Sequence, residues 1–296
     1  MDNIKYKLVP NIKYGFLEVK PTPSAETITK YYTEEFYSGE YKKFNNSALK
    51  VQLEDKDFYD GKWSDIYENL KELKNGNIKK SDLLDVGCGW SQALLFFKKK
   101  GLNCYGFDPA KEAVHYAKKE NLNVVHSSVT KIDVFEGKKF DIITLFNVFE
   151  HLANPVAVLS QIKKILKSKA ILVIDVPNDF NSFQTAARDL NNLSNWWVAP
   201  PAHLNYFSAE TLIKLLEGEG FKVKNAESSF PLEMFLLFGD NYVSDPKVGR
   251  VCHKKRAAFE TNLRKLGKSK LLKKFYQSLA KINLGRQITV YATKAD

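Results

Sequence analysis

Between Ser81 and Val176, strand-length apolar runs alternate with helical patterns, and this rhythm constrains the fold more than any other feature of the 296-residue chain. Short strands are predicted at Leu83–Val86, Asn103–Phe107, Asn123–His126, Phe140–Phe146 and Ala170–Val176. Helices are predicted over Gln92–Lys100, closed by Gly101, over Pro109–Asn121, with proline in the first turn, and over Pro155–Lys167. Alternation of this kind implies a parallel sheet joined by right-handed crossovers. Phe140–Phe146 is almost wholly apolar, as a strand covered on both faces should be. A helix over Ala209–Glu219, capped by Ser208 and ended by Gly220, precedes a sixth strand at Phe221–Glu227. Arg286–Thr293 is predicted as the seventh.

The flanks differ. Residues 1–77 read as an N-terminal helical cap, with helices at about Ala25–Phe36, Ala48–Asp57 and Trp63–Lys74 and a linker at Asn75-Gly76-Asn77. Residues 178–207 interrupt the rhythm with Trp196, Trp197, two prolines and His203. A helical stretch covers about Pro231–Asn283. The expected organisation is a core of 78–228 plus 285–296, an insertion at 178–207 and a basic helical insertion at 229–284.

Charge is concentrated in that last segment. From Lys247 to Asp296, 14 Lys and Arg face two acids, a net +12 within a whole-chain +11. A solvated helical face is one reading; attraction to a phosphorylated substrate, a membrane surface or nucleic acid is the other. Only Phe259, Phe275 and Tyr276 interleave the basic residues, and Phe275 falls at a core spacing, which disfavours nucleic acid. No apolar run reaches the ~18–20 residues that span a bilayer. The first residues, Met-Asp-Asn-Ile-Lys-Tyr-Lys, lack a signal-peptide core. Three cysteines in no zinc spacing leave no metal expected and suit a reducing cytoplasm.

Asp85-Val-Gly87-Cys88-Gly89 lies between a strand and a helix. Its glycines allow a sharp turn and close approach of a ligand to backbone. The helix that follows aims free N–H groups at the same place. Asp108 ends the next strand, where a carboxylate can accept both hydroxyls of a ribose. A dinucleotide fingerprint needs a third glycine, and Gln92 stands there instead. Asp85 would repel a diphosphate but favours an ammonium. S-adenosylmethionine, with an ammonium and a sulfonium, fits this charge arrangement better than NAD.

These residues resemble the class I S-adenosylmethionine-dependent methyltransferases over roughly 78–228 and the terminal strand. Asp85–Gly89 resembles the glycine-rich first motif and Phe107-Asp108-Pro109 the acidic second. Ser127-Ser128-Val129 sits where residues flank the adenine. Phe140–Leu152 resembles the fourth motif, most like ubiquinone-type O-methyltransferases and bacterial glycan-tailoring relatives. The stretch from Tyr14 to Ser24 resembles a segment that precedes such domains in bacterial sugar-modifying enzymes. The resemblance implies a three-layer α/β Rossmann-like fold with a mostly parallel seven-stranded sheet. It implies a cofactor site of Asp85, Gly87, Cys88, Gly89, Trp90, Asp108, Pro109, Ser128, Val129 and Asn147, with S-adenosylhomocysteine as product. It also implies O-methylation of a small-molecule acceptor, with a sugar or sugar nucleotide of a surface glycan, phosphorylated or not, as the leading class. An RNA methyltransferase and an NAD-dependent oxidoreductase stand as alternatives, and a homo-oligomer is left open.

A hydroxyl acceptor benefits from a base. His151, beyond the fourth strand, and His203, in the 178–207 insertion, are the candidates, each against a structural reading as a loop histidine. His115 and His126 read as structural and His253 as exposed. Trp196-Trp197 could wall an acceptor or merely pack the insertion. Trp90 could shield the methionine end of the cofactor or pack. Tyr31, Tyr32 and Tyr37 read mostly as packing. Cys88 is not expected to act as a nucleophile.

Overall fold

The computed structural model describes residues 5–31 and 48–295. Seven strands form the main sheet: β3 (Asp82–Val86), β4 (Asn103–Asp108), β5 (Asn123–His126), β6 (Phe140–Phe146), β7 (Leu166–Pro177), β9 (Phe221–Ser228) and β10 (Gln287–Lys294). Their order is β5-β4-β3-β6-β7-β10-β9, and only β10 runs antiparallel to its neighbours. The expected mostly parallel α/β sheet is therefore present.

Alternate residues of the central strands feed two separate cores, which makes the three layers. Leu84, Ile143, Leu172 and Ile174 pack on one face with the helices α6 (Pro155–Ile165) and α8 (Ala209–Gly218). Leu83, Ile142, Ile171 and Val173 pack on the other with α4 (Gln92–Lys99), α5 (Lys111–Lys119) and the long N-terminal helix α3 (Lys56–Leu73). Through Trp63, Ile66 and Leu70, α3 belongs to the layer itself. Each such side chain, fully buried, contributes about 1.5–3 kcal/mol.

The N-terminal segment is not helical throughout. Besides the short helices α1 (Ala25–Lys30) and α2 (Ala48–Glu54), it forms a hairpin of β1 (Lys7–Pro10) and β2 (Leu17–Lys20). β2 then pairs with β8 (Asn205–Tyr206), the last residues of the 178–207 insertion. The sequence pattern assigns no strand to Tyr14–Lys20, because its apolar residues face two places: Tyr14 and Phe16 enter the main core, Val19 the small sheet. Trp197, buried, packs there with Val19 and Tyr206, and Trp196 leans edge-on against it. The tryptophans thus pack the insertion onto the hairpin. The insertion also holds a helix, α7 (Ser182–Leu190), capped by Asn181. The predicted helix beyond Tyr31, with Tyr32 and Tyr37, falls outside the described residues.

The basic insertion comprises α9 (Glu233–Leu237), α10 (Pro246–Lys265) and α11 (Ser269–Lys281) rather than one stretch. Part of its charge is absorbed by α3. Arg250 pairs with Asp55, Arg264 with Asp65 and Glu260, and Lys273 with Glu72. Two expectations are corrected here. His253 is half-buried, 3.1 Å from Asp55 and edge-on to Phe58, because α10 docks on α3. Phe275 faces outward, 39% exposed, while its neighbour Tyr276 takes the core position and donates to Glu260 at 2.8 Å.

Candidate active site

At the carboxyl ends of the parallel strands the chain folds back in the β3–α4 turn. Gly87 and Gly89 both take positive φ, +67° and +48°. The N–H groups of Gly87 and Cys88 donate to Phe107 O at 2.9 and 3.1 Å, tying the turn to β4. A Cβ on Gly87 would lie 2.6 Å from Val148 and 3.3 Å from Val129, so this glycine lets the loops after β5 and β6 close on the turn. A Cβ on Gly89 would meet nothing within 4 Å: the turn faces open space that a ligand can fill. Gly87→Ala is expected to cost about 1–3 kcal/mol from overpacking and the left-handed backbone together. Equilibrium denaturation checks this; an unchanged midpoint and slope would contradict the close packing.

Asp85 sits level with Gly106 on one side and Thr144 on the other. Thr144 donates to it at 2.7 Å. Burial pushes its carboxyl up to about 7, against the pull of Thr144 and with a further push from Asp108. Asp108 is also buried; its two oxygens accept the N–H groups of Gly89 and Ala110, both at 2.8 Å. One carboxylate therefore sets the glycine turn and the start of α5. These features fit the expected nucleoside-and-ammonium ligand: an open cradle above Gly89 between two buried acids.

The other cofactor candidates surround the same turn. Val129 lies beside Gly87 and exposed Ser128 turns its own loop through Thr130. The carbonyl of Pro109 faces His126 Nε2 at 2.9 Å, consistent with a structural His126. Trp90 stands edge-on to Tyr116 and lines a shallow groove along α5 with His115. Cys88 is buried, and burial pushes its thiol well up, as a bystander's would be. Asn147, at the end of β6 with φ +53°, accepts from Gln287 at 2.8 Å.

His151 and His203 come together. Their rings stand edge to face, 4.9 Å between centroids. The short 3₁₀ turn Phe149–His151 supplies one and the insertion the other. His151 Nδ1 bonds Ala202 O at 2.7 Å, joining the two loops. Burial lowers the His151 pKa. Burial, with the charges of His151 and Arg286, pushes His203 down to about 3, so its ring stays neutral. His203 Nδ1 is buried with no partner, a costly state unless another group fills it.

A set of buried acids that begins at Glu150, 3.7 Å from His151, was not read from the sequence. Glu150, Asp175, Asp179 and Glu233 are all buried, and each keeps one oxygen unpartnered. Lys62 of α3 pairs with Asp175 at 2.9 Å, and Arg286 with Glu233 at 3.2 Å. Burial holds the Glu150 carboxyl well above its ordinary range, and it raises Asp179 to about 7 against the charge of Arg286. An acid within the apolar run Ala170–Val176, as Asp175 is, was the available signal. Glu150, His151 and His203 also place three donor atoms within 4.8 Å, a set that a divalent ion could use among the described residues.

Residues 50–226 match a family described as Methyltransferase domain. The chain is 26% identical over 160 residues to a probable (S)-tetrahydroprotoberberine N-methyltransferase 2 of Papaver bracteatum, covering 50% of this chain and 43% of that protein. It is 29% identical over 119 residues to a ubiquinone biosynthesis O-methyltransferase of Glaesserella parasuis, covering 37% and 50%. It thus spans about half the length of the curated relatives it matches. Among solved structures, the plantazolicin methyltransferase BpumL, in complex with a pentazolic desmethylPZN analog and SAH, superposes with TM-score 0.55 at 16% identity, over 91% of this chain and 95% of that one. A SAM-dependent methyltransferase from Archaeoglobus fulgidus gives TM-score 0.52 at 20% identity, over 88% and 100%. At these identities the superpositions establish the fold.

Proposed function

This chain belongs to the methyltransferase-domain family, of the class I S-adenosylmethionine-dependent kind, and on that footing we propose that it methylates a hydroxyl of an uncharged small molecule, with a glycan sugar as the leading class. Membership replaces the nicotinamide oxidoreductase alternative. The observation that carries the acceptor reading is the buried, unpartnered Nδ1 of His203 beside Glu150.

When bound, S-adenosylmethionine supplies an already activated methyl group. The residues suited to hold it are Asp108 for the ribose, Asp85 for the ammonium, the Gly87–Gly89 turn for close approach, and Val129, Ser128, Pro109, Trp90 and Asn147 around them. The chain's own work is then positioning and proton handling. A neutral His203 can take the proton that an acceptor hydroxyl loses. His151, tied to Ala202 O, fixes the edge against which His203 stands. Neutral carboxyls such as Glu150 both donate and accept, which suits the hydroxyls of a sugar.

The ion-paired carboxylates Asp175 and Glu233 favour a second reading, an amine acceptor, because carboxylates attract ammonium groups. They weigh against the phosphorylated sugar expected from net charge, since Arg250, Arg264 and Lys273 are spent on α3. Labelled methyl transfer to matched panels of neutral saccharides, sugar phosphates and amines separates these. Transfer to neutral saccharides supports the proposal, transfer to amines alone supports the second reading, and a requirement for phosphate overturns both. Dialysis against a chelator should leave turnover unchanged; loss restored by a divalent metal would make the Glu150–His151–His203 set a metal centre instead.

Asp85 yields a pH prediction. Its carboxyl must be ionised to accept an ammonium, and its free-state pKa is about 7. Affinity for S-adenosylhomocysteine should therefore fall as pH drops below 7, towards tenfold per unit, with proton release on binding that grows towards one as pH falls below 7 and vanishes well above it. Calorimetry in buffers of different ionisation enthalpy measures both. A pH-independent affinity would remove Asp85 from the ammonium site.

A further inference from the structure

The outer face of α10 and α11 combines two features that sit together poorly in water. On α11 and its C-terminal cap, Leu271, Phe275 and Ile282 are exposed by 57%, 39% and 64%. They repeat at i, i+4 and i+11. Lys270, Lys274 and Lys281 repeat at the same intervals one residue earlier, and all three are exposed without a carboxylate partner among the described residues. A helix with this spacing carries an apolar stripe flanked by a cationic one. α10 continues the surface: Phe259, 39% exposed, meets Phe275 at 6.4 Å between ring centroids, and Leu266, 72% exposed, stands near the turn between the helices. Lys254, Lys265 and Lys268 of the same segment are also exposed.

The arginines of the segment are turned elsewhere. Arg250, Arg264 and Arg286 hold acids, and Arg256 lies over the Phe58 ring at 4.6 Å. The outward charge is therefore lysine, a point charge suited to a diffuse anionic surface and not a fork for phosphate or base edges. Most of the outward apolar groups are aliphatic and cannot stack on bases. A second copy of the chain would bring like charges together. Phenylalanine and leucine set in a lysine field are what an interfacial helix inserts between lipid headgroups.

The geometry points to the α10–α11 face as a docking surface for a membrane rich in anionic phospholipid, the helices lying in the plane of the headgroups. Leu271 and Phe275 enter the acyl boundary while the Lys270–Lys274–Lys281 row meets lipid phosphates. This surface belongs to the insertion and uses none of the residues assigned to cofactor or acceptor, so it stands or falls separately from the methyltransferase reading.

Sedimentation of the full chain with phosphatidylglycerol–phosphatidylcholine vesicles, against phosphatidylcholine alone, tests it. Binding is expected only to the anionic vesicles and should be largely lost in about 1 M salt, where the Debye length is about 3 Å. Substituting Lys270, Lys274 and Lys281 together by Gln should weaken binding about a hundredfold. Leu271→Ser with Phe275→Ser keeps the charge and should also weaken it at least tenfold, by loss of buried apolar area. Unchanged affinity for S-adenosylhomocysteine shows that each variant is folded. No binding to the anionic vesicles overturns the proposal. So does full vesicle binding by the Ser variant, which would reduce the effect to charge alone. RNA binding without vesicle binding, or a dimer that the Ser variant dissolves, would assign the face to those partners.

Discussion

Substituting His203 by Gln should lower turnover by about 10²-fold, the low end for a positioned general base because a depressed pKa makes the ring a weak one, and leave affinity for S-adenosylhomocysteine within twofold. The expectation rests on the ring's surroundings. Burial and the charges of His151 and Arg286 push His203 down to about 3, so it carries a lone pair at any working pH. Its Nδ1 is shielded from solvent and unpartnered. The turnover profile should accordingly show no inflection near the ordinary histidine value of about 6.5. His151→Gln should cost less. One amide can still donate to Ala202 O, so the variant chiefly loosens the loop that carries His203. Steady-state kinetics on both variants, with calorimetric cofactor affinities, checks the pair. Full activity in both would mean that the acceptor arrives already ionised or that another group takes its proton.

Asp108→Ala should weaken cofactor binding by about 1.5–3 kcal/mol, roughly 10- to 150-fold, because ribose hydroxyls would lose a charged acceptor. The structure adds a second cost. Asp108 accepts from both Gly89 and Ala110, so the Ala variant also frees two backbone N–H groups and unpins the glycine turn. Asp108→Asn separates the two effects: it keeps one acceptor oxygen for the backbone and loses the charge. Thermal unfolding should fall more for Ala than for Asn, while cofactor affinity falls for both. Unchanged affinity in both variants would show that Asp108 serves the turn alone.

The parts of this architecture legible from sequence are those governed by local pattern. β5 and β6 lie where the apolar runs ended, at Asn123–His126 and Phe140–Phe146. The glycine turn and Asp108 were recognisable because backbone geometry there depends on residue type. The helix ending at Ile165 was predicted two residues too long, because Leu166 and Lys167 suit a helix as well as the start of β7. The β1–β2 hairpin escaped because its pairing with Asn205–Tyr206 is long-range and each strand is only two to four residues long. Glu150, Asp175, Asp179 and Glu233 escaped for a related reason. They come from three elements and a turn, and a buried acid cannot be told from a surface acid until those segments meet.

The pairing of β2 with β8 bears on how the protein is made. The loop that carries His203 is anchored to a strand synthesised some 190 residues earlier, Leu17 opposite Tyr206. Arg286 and Gln287, some 80 residues beyond that loop, add an ion pair to Glu233 and a hydrogen bond to Asn147. A ribosome-bound chain that has emerged only through β6 holds the glycine turn and Asp108, yet it still lacks the His203 loop that β2 anchors. The residues suited to the cofactor therefore leave the ribosome before the loop proposed to serve the acceptor can be anchored.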